Sequence, residues 1–366
     1  MTTQSSGNAE GFSSTTDSGV LPHVELSGTS FKIGFQHGNL LAPQILSQLD
    51  IYRGIFKSIA KLEWQEVLEV SKEFVPTIQR LTPHLFEEIQ GIVAGIEKSE
   101  MSSEVGLLDI VALNARSEIS LGLLNDGCTS LAWTFTSGSN AGSHRQVLAQ
   151  NWDWTETVGK NLALTSIEQV GKPKIWMVTE PGIVGKIGFN SASVGLLPIH
   201  LVLRIALEST SVTHAIETLE SLGGPASSQH ILIADALAGS RGMEVSPLGS
   251  VYLEPNEHGV LVHTNHFLKN KFVDEPPWLE GSPVRLSRIG ELCCASVTPD
   301  VLRTRIFADK FGAPQSICCY APMGDRVMAT QFNIIMVFED GQDPYAEVVL
   351  GRPGQDNCNA VMRLPW

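Results

Sequence analysis

Over residues 31–124 apolar positions recur every three or four residues, through FKIGFQHGNLLAPQILSQLDIYRGIFKSIAKL, WQEVLEVSKEFVPTIQRL, PHLFEEIQGIVAGIEKS and GLLDIVALNARSEISLGLL. That period is the signature of amphipathic helix. Breaks are predicted near Pro76 and Pro83. At Asn125-Asp126-Gly127 the grammar changes, and TSLAWTF, QVLAQNWDW, LALTSIEQV, KIWMVTE and IVGKIGFNS follow as strand-like runs separated by turn residues. Helix returns over 201–222, then HILIADAL, GMEVS, SVYLEP and GVLVHTN read as strands. A last helical region is predicted over 283–311, and FNIIMVFED, YAEVVLGRP and NAVMRL close the chain as strands. Runs of strands segregated from runs of helices, with no internal repeat or long linker, predict an α+β layered domain in which helices cover packed sheets.

The composition narrows the partners. The 366-residue chain is 43% apolar and 17% charged, with a formal net charge of −14. An acidic balance of this size argues against nucleic acid or anionic lipid, both of which need a basic surface. No apolar run is long enough to span a bilayer. The first 25 residues open with the Ser/Thr/Gly-rich MTTQSSGNAEGFSSTTDSG, which lacks the features of a secretory signal and is expected to be disordered. Six cysteines stand at 128, 293, 294, 318, 319 and 358. Their spacing fits neither a zinc site nor a secreted disulfide framework, so the two Cys-Cys pairs read as reduced core in a reducing compartment.

The one cysteine with chemical promise is Cys128, in NDGCTSLAWTF. A lone cysteine at a strand start is most often a small core hydrophobe. Glycine before it changes the weighting, because the unshielded Gly127 carbonyl is open to attack by the neighbouring thiol. An N-to-S acyl shift followed by hydrolysis would free Cys128 as a new N-terminus, whose α-amine serves as its general base. An α-amine of pKa about 7.7–8.0 is roughly 10–20% unprotonated at pH 7. Strands over 128–136 and 146–154, paired symmetrically, would set Cys128 opposite Asp153 or Trp154. Asp153 is then placed to orient the amine, although a carboxylate near a strand end is often a plain surface group. Downstream, VHTNHF ends a strand with Asn265, whose amide suits an oxyanion donor. His263 and His266 flank it, but His-x-x-His with no third ligand nearby reads as structural, and no metal is expected.

With DGCTS and QNWDW at this spacing, and with GTSFKIGFQHG, LNARSE, EPGIVGKIGFNSA, LRIALESTS, VHTNH, ATQFNII and LGRP, the chain resembles the acyl-coenzyme A:isopenicillin N acyltransferase (penicillin acyltransferase) family of filamentous fungi. The resemblance runs from about residue 26 to 363. It implies the four-layer αββα fold of N-terminal-nucleophile hydrolases and self-cleavage between Gly127 and Cys128. Residues 26–127 would remain bound as a helical α subunit, and 128–366 would form the catalytic β subunit. Cys128 would carry an acyl-enzyme, Asp153 would match the acidic residue beside the nucleophile, and Asn265 would match the oxyanion asparagine. The acyl group would come from a coenzyme A thioester, a co-substrate and not a cofactor, or from an amide. It would pass to an amine such as 6-aminopenicillanic acid, or to water. The family's active-site arginine falls closest to Arg326, one position off register.

Two departures bear on these expectations. GFNSASVG runs almost directly into LLPIHLVLRIALE, so a strand and its loop around 195–197 look shortened, which would expose sheet edges and remove part of the substrate wall. The chain also ends in Leu-Pro-Trp in place of the peroxisomal tripeptide of penicillin-producing members, which points to a cytosolic paralogue. The alternatives to penicillin-type acyl transfer are an N-acyl amide hydrolase and a catalytically impaired paralogue.

Overall fold

The computed structural model describes residues 21–99, 101, 104–120, 127–136, 144–192, 195–196, 200–275, 280–293, 301–324, 326–354 and 360–365. The expected disorder over 1–20, the turn residues Asn125 and Asp126, and two cysteines, Cys294 and Cys358, lie outside the described residues. Strand β1 (His23–Ser27) comes first and crosses the boundary expected at 25/26. A helical stretch follows: α1 (Ser30–Leu40), α2 (Ala42–Ile55), α3 (Trp64–Leu81), α4 (Pro83–Lys98), α5 (Leu107–Asn114) and α6 (Arg116–Ile119). Thr29 caps α1 through its side-chain oxygen, and Glu63 with Glu66 forms a capping box on α3. Pro83 occupies the first turn of α4, where its missing N–H costs nothing. The break expected at Pro76 does not occur, because Pro76 lies inside α3. Lys72 and Pro76 are both exposed, so water can take over the carbonyl that a proline four residues on cannot serve. Helices α1 and α4 cross almost in backbone contact: a Cβ on Gly34 or Gly38 would sit 1.9–2.0 Å from a carbonyl oxygen of α4.

The strand-rich part supplies β2 (Gly127–Thr136), β3 (His144–Thr155), the short α7 (Glu156–Gly159), β4 (Ala163–Glu168), β5 (Ile175–Thr179), β6 (Ile187–Asn190) and β7 (Gly195–Leu196). Helices α8 (His200–Leu207) and α9 (Val212–Ser221) precede β8 (Gln229–Asp235), β9 (Gly239–Ser246), β10 (Gly249–Leu253) and β11 (Val260–His263). Then come α10 (Gly281–Leu292), a π-helical turn over 302–306, β12 (Tyr320–Met323), β13 (Arg326–Glu339), β14 (Tyr345–Leu350) and β15 (Met362–Leu364). The helix expected over 283–311 is therefore α10 and that turn.

One sheet runs β1-β4-β5-β6-β7-β8-β9-β10 and the other β11-β2-β3-β13-β14-β15, with β12 paired to β13. Alternation along the strands sets the layers. Ala132, Leu148 and Trp152 of the second sheet join the main core with Leu232 and the helices, while Leu131, Trp133, Val147 and Ala149 pack against Ile289 of α10 and against Leu302, Ile306 and Phe307. The result is the α+β, αββα arrangement anticipated from the sequence. Where a shortened strand is expected around 195–197, β7 bridges β6 and β8, so the first sheet is continuous there; residue 197 lies outside the described residues. No helix among the described residues is long and apolar enough to cross a membrane.

Candidate active site

The hairpin β2–β3 pairs Gly127 with Asp153 and Cys128 with Trp152. This is one residue short of the symmetric estimate, because β3 begins at His144, two residues earlier than the apolar pattern indicated. A Cβ at position 127 would come within 3.1 Å of Asp153 Cβ and 3.2 Å of its Oδ2. Glycine is therefore the residue that leaves this carboxylate undisturbed beside the backbone preceding Cys128. Asp153 is buried, and its Oδ1 accepts a 2.6 Å hydrogen bond from Thr330 Oγ1 on β13. Thr330 Oγ1 in turn accepts the Cys319 N–H at 3.0 Å.

Strand β11 pairs with β2, setting His263 opposite Ser130 and carrying Asn265 towards the start of β2. The Cys128 N–H donates to Asn265 Oδ1 at 3.0 Å. Arg285 of α10 donates to the same oxygen at 2.7 Å, to Thr129 Oγ1 at 2.9 Å and to the Cys128 carbonyl at 2.5 Å. Ser282, one helical turn earlier, accepts the Asn265 N–H at 2.8 Å. With Oδ1 engaged twice, the asparagine's orientation is fixed. Burial lowers the pKa of Arg285 while the Asp153 charge opposes the shift, and the guanidinium stays charged.

The histidines beside Asn265 are tied into the protein. His263 Nε2 lies 2.9 Å from Glu244 Oε1, its Nδ1 lies 2.6 Å from the Thr264 carbonyl, and its ring stacks on His230 at 3.4 Å. Glu244 also accepts the N–H groups of Leu268, Lys269 and Asn270. Burial alone would raise the pKa of Glu244, but these donors hold it down at about 2. The pair thus pins the 264–270 turn that presents Asn265. His266 Nδ1 is 2.7 Å from Ser282 Oγ. Among the described residues no group of three or more His, Cys, Asp or Glu could hold a metal.

Cys128 is partly exposed, whereas Cys293, Cys318 and Cys319 are buried, and all four are free thiols. Burial, with the Asp153 charge adding to it, pushes the Cys318 thiol up to about 11 and Cys319 higher still. The structure thus brings Gly127, Cys128, Asp153 and Asn265 together. Arg326 goes elsewhere: its guanidinium donates to the Gly54 carbonyl at 3.4 Å and to Ser58 Oγ, at the end of α2 and just beyond. The cation bonded to the Cys128 carbonyl is Arg285, and Thr330 and Ser282 support the carboxylate and the amide. Thr330 lies within ATQFNII, where nothing local marks its partner, and Ser282 and Arg285 sit in an ordinary helical run, SPVRLSRIG.

A family model described as acyl-coenzyme A:6-aminopenicillanic acid acyl-transferase matches residues 139–355. The chain is also 34% identical over 358 residues, covering 93% of itself and 95% of the relative, to the acyl-coenzyme A:6-aminopenicillanic-acid-acyltransferase 40 kDa form of Emericella nidulans. The chain belongs to the acyl-coenzyme A:6-aminopenicillanic acid acyl-transferase family. Among solved structures, penicillin V acylase from Agrobacterium tumefaciens is similar at 12% identity, with a TM-score of 0.38 over 64% of this chain and 85% of that one. For this acyl-transferase family member, the family match spans Asp153, Asn265 and Arg285 but begins eleven residues after Cys128. The relative's alignment covers most of the helical part as well.

Proposed function

We propose that this chain is a self-cleaving acyltransferase with Cys128 as its nucleophile. The observation that carries the reading is the double engagement of Asn265 Oδ1 by the Cys128 N–H and by Arg285. It aligns an amide donor beside a thiol that directly follows a glycine. In maturation the thiol adds to the Gly127 carbonyl, the C–N bond to Cys128 breaks, and the nitrogen takes up the thiol proton. Water then hydrolyses the thioester, leaving a Gly127 carboxylate and a free Cys128 amine and thiol. Asp153, next to position 127, holds the new ammonium in place.

In turnover the α-amine accepts the thiol proton as Sγ attacks the acyl donor, a coenzyme A thioester or an amide. Asn265 Nδ2 stabilises the oxyanion, and the leaving thiol or amine departs with the proton. An amine related to 6-aminopenicillanic acid then takes the acyl group from Cys128; water in its place gives hydrolysis. Arg285 is a positioning residue that fixes Asn265. The helical piece stays attached as its own partner subunit through Gln48, Tyr52 and Arg116 on Glu180, and through Glu88 on Arg204.

Intact mass and N-terminal sequencing test the first half: two pieces are expected, the larger starting at Cys128. A single 39.6 kDa species would defeat the self-cleavage reading. Thiol release from an acyl-coenzyme A, followed with and without the amine, tests the second. Amide formation supports transfer, and release of free acid alone supports the hydrolase alternative.

A further inference from the structure

The alternation of side chains along β13 reverses part-way. Beyond Gln331, Phe332, Ile334, Met336 and Phe338 enter the main core, while Ile335 and Val337 join the cluster against α10. Continued back by twos, this pattern would send Thr330 to the side of Phe332, away from Asp153. Thr330 instead pairs with Asp153 and Phe332 with Trp152, which are adjacent residues of β3, so Gln331 is an extra residue in β13. A bulge of this kind moves the side chains on one side of it to the opposite face. Thr330 thereby reaches the face of β3 that carries Val147, Ala149 and Asp153.

The bulge is held by its own extra residue. Gln331 is buried, and its Nε2 donates to the Ala329 carbonyl on the same strand at 2.7 Å and to the Trp154 carbonyl on β3 at 2.8 Å. Its main-chain carbonyl accepts the Gly351 N–H at 2.7 Å. Gly159 of α7 leaves room for the amide, since a Cβ there would come within 1.7 Å of Gln331 Oε1. One side chain thus ties the bulged strand to its neighbour. Thr330 is oriented from the other edge of β13, where its N–H donates to the Cys319 carbonyl at 3.2 Å and its Oγ1 accepts the Cys319 N–H at 3.0 Å. The single hydroxyl proton goes to Asp153 Oδ1 at 2.6 Å, the short separation of a hydroxyl on a carboxylate.

We propose that Thr330 and Gln331 are positioning residues for the reaction at Cys128: Gln331 locks the bulge, the bulge turns Thr330 to Asp153, and Thr330 fixes that carboxylate beside position 127. The inference rests on the Cys128 reading and adds to it two residues that act through Asp153. Without them the carboxylate that holds the new ammonium loses its alignment.

Thiol release from an acyl-coenzyme A, measured per cut molecule, is the test. Mass spectrometry counts the cut fraction and calorimetry checks the fold. Thr330→Val keeps the shape and removes the hydroxyl, and turnover should fall about tenfold or more. Thr330→Ser restores the hydroxyl and should stay within about threefold of the parent. A folded Thr330→Val chain that stays uncut beside a cut Thr330→Ser chain supports the proposal equally. Gln331→Leu should also lose turnover, and the double variant should be no worse than Thr330→Val alone, because Gln331 acts through Thr330. Equal losses in Thr330→Ser and Thr330→Val would mark Thr330 as packing and overturn the proposal. Full turnover in Gln331→Leu, or additive losses in the double variant, would overturn the part given to Gln331. Should Thr330→Val fail to fold, Gln331→Leu against the parent decides. A parent that is neither cut nor active defeats the Cys128 reading and this inference with it, whereas an active parent matched by Thr330→Val overturns this inference alone.

Discussion

Two of the places where charge is buried in this molecule are built differently. Around Glu180 a single carboxylate accepts four hydrogen bonds, from Gln48 at 2.7 Å, Tyr52 at 2.7 Å, Arg116 at 2.8 Å and Lys186 at 2.7 Å. Lys186 Nζ also lies 4.3 Å from the ring of Trp152. Burial would raise the Glu180 pKa, but Arg116 and Lys186 overcome it and hold the group ionised. Burial and the same two cations push His200 well below its ordinary value. Every strong group there is turned inward on another. Around Cys128 the groups are fewer, with Asp153 and Arg285 buried and Asn265 half-buried, and they converge on the backbone of one partly exposed thiol: Asn265 on its N–H, Arg285 on its carbonyl, Asp153 beside the preceding glycine. The first region joins residues on either side of position 127; the second draws only on residues after it. Buried charge serves cohesion in one region and alignment in the other.

The strongest way to separate them is Cys128→Ala. It should leave an uncut, inactive chain whose thermal midpoint stays close to that of the parent, read by mass spectrometry and calorimetry. Glu180→Ala should do the reverse. Leaving Arg116 and Lys186 buried without their carboxylate costs about 3–5 kcal/mol of stability, measurable by urea unfolding of a Cys128→Ala background so that cutting does not intervene. Asn265→Ala removes the proposed oxyanion donor and should lower kcat by about 10²–10³-fold. A loss under tenfold would remove Asn265 from that role.

Acid should probe the cohesive side. His37 is buried, accepts the Gly182 N–H at 3.0 Å, and is lowered to about 4 by burial and then by the Arg204 charge. An unfolded histidine takes a proton near pH 6.5, at about its reference value. Between those values the unfolded chain binds the extra proton, so stability falls as pH drops from 6.5 to 4. Glu208 is held at about 2 against its own burial by His84, Arg204 and Lys172. Its contribution is complete above the ordinary carboxylate pKa near 4.5 and is lost as pH falls towards 2. Urea midpoints at pH 7.5, 5.5 and 4 should therefore decline in order, and a flat profile from 7.5 to 5.5 would contradict the His37 assignment. The smallest effect is expected from Arg326→Ala: a stability change within about 0.5 kcal/mol and near-parent turnover, because its guanidinium bonds to the end of α2 and to Ser58.

Periodicity carried the fold a long way. The switch from helix to strand at Gly127 was visible because the two periods differ, and the layers followed from that segregation. Strand β1 escaped because HVELS is short and adjoins a polar segment, and its pairing with β4 is long-range. The hairpin register slipped by one because the apolar pattern hid the true start of β3. Cys128, Asp153 and Asn265 were legible as neighbours because each sits next to a strand end with a telling residue beside it. Arg285 was not legible, since α10 reaches the site only through tertiary packing, and a helix surface arginine looks the same wherever it points.

The Glu180 knot has one more consequence. While the chain is continuous, Tyr52, Arg116 and Glu180 find each other as parts of one polymer, at a high local concentration that does not change with dilution. Once the bond after Gly127 is gone, the same encounter is between two molecules. A mature protein taken apart in denaturant should regain its form at a rate set by how much of it is present, whereas the uncut precursor should refold at a rate indifferent to dilution.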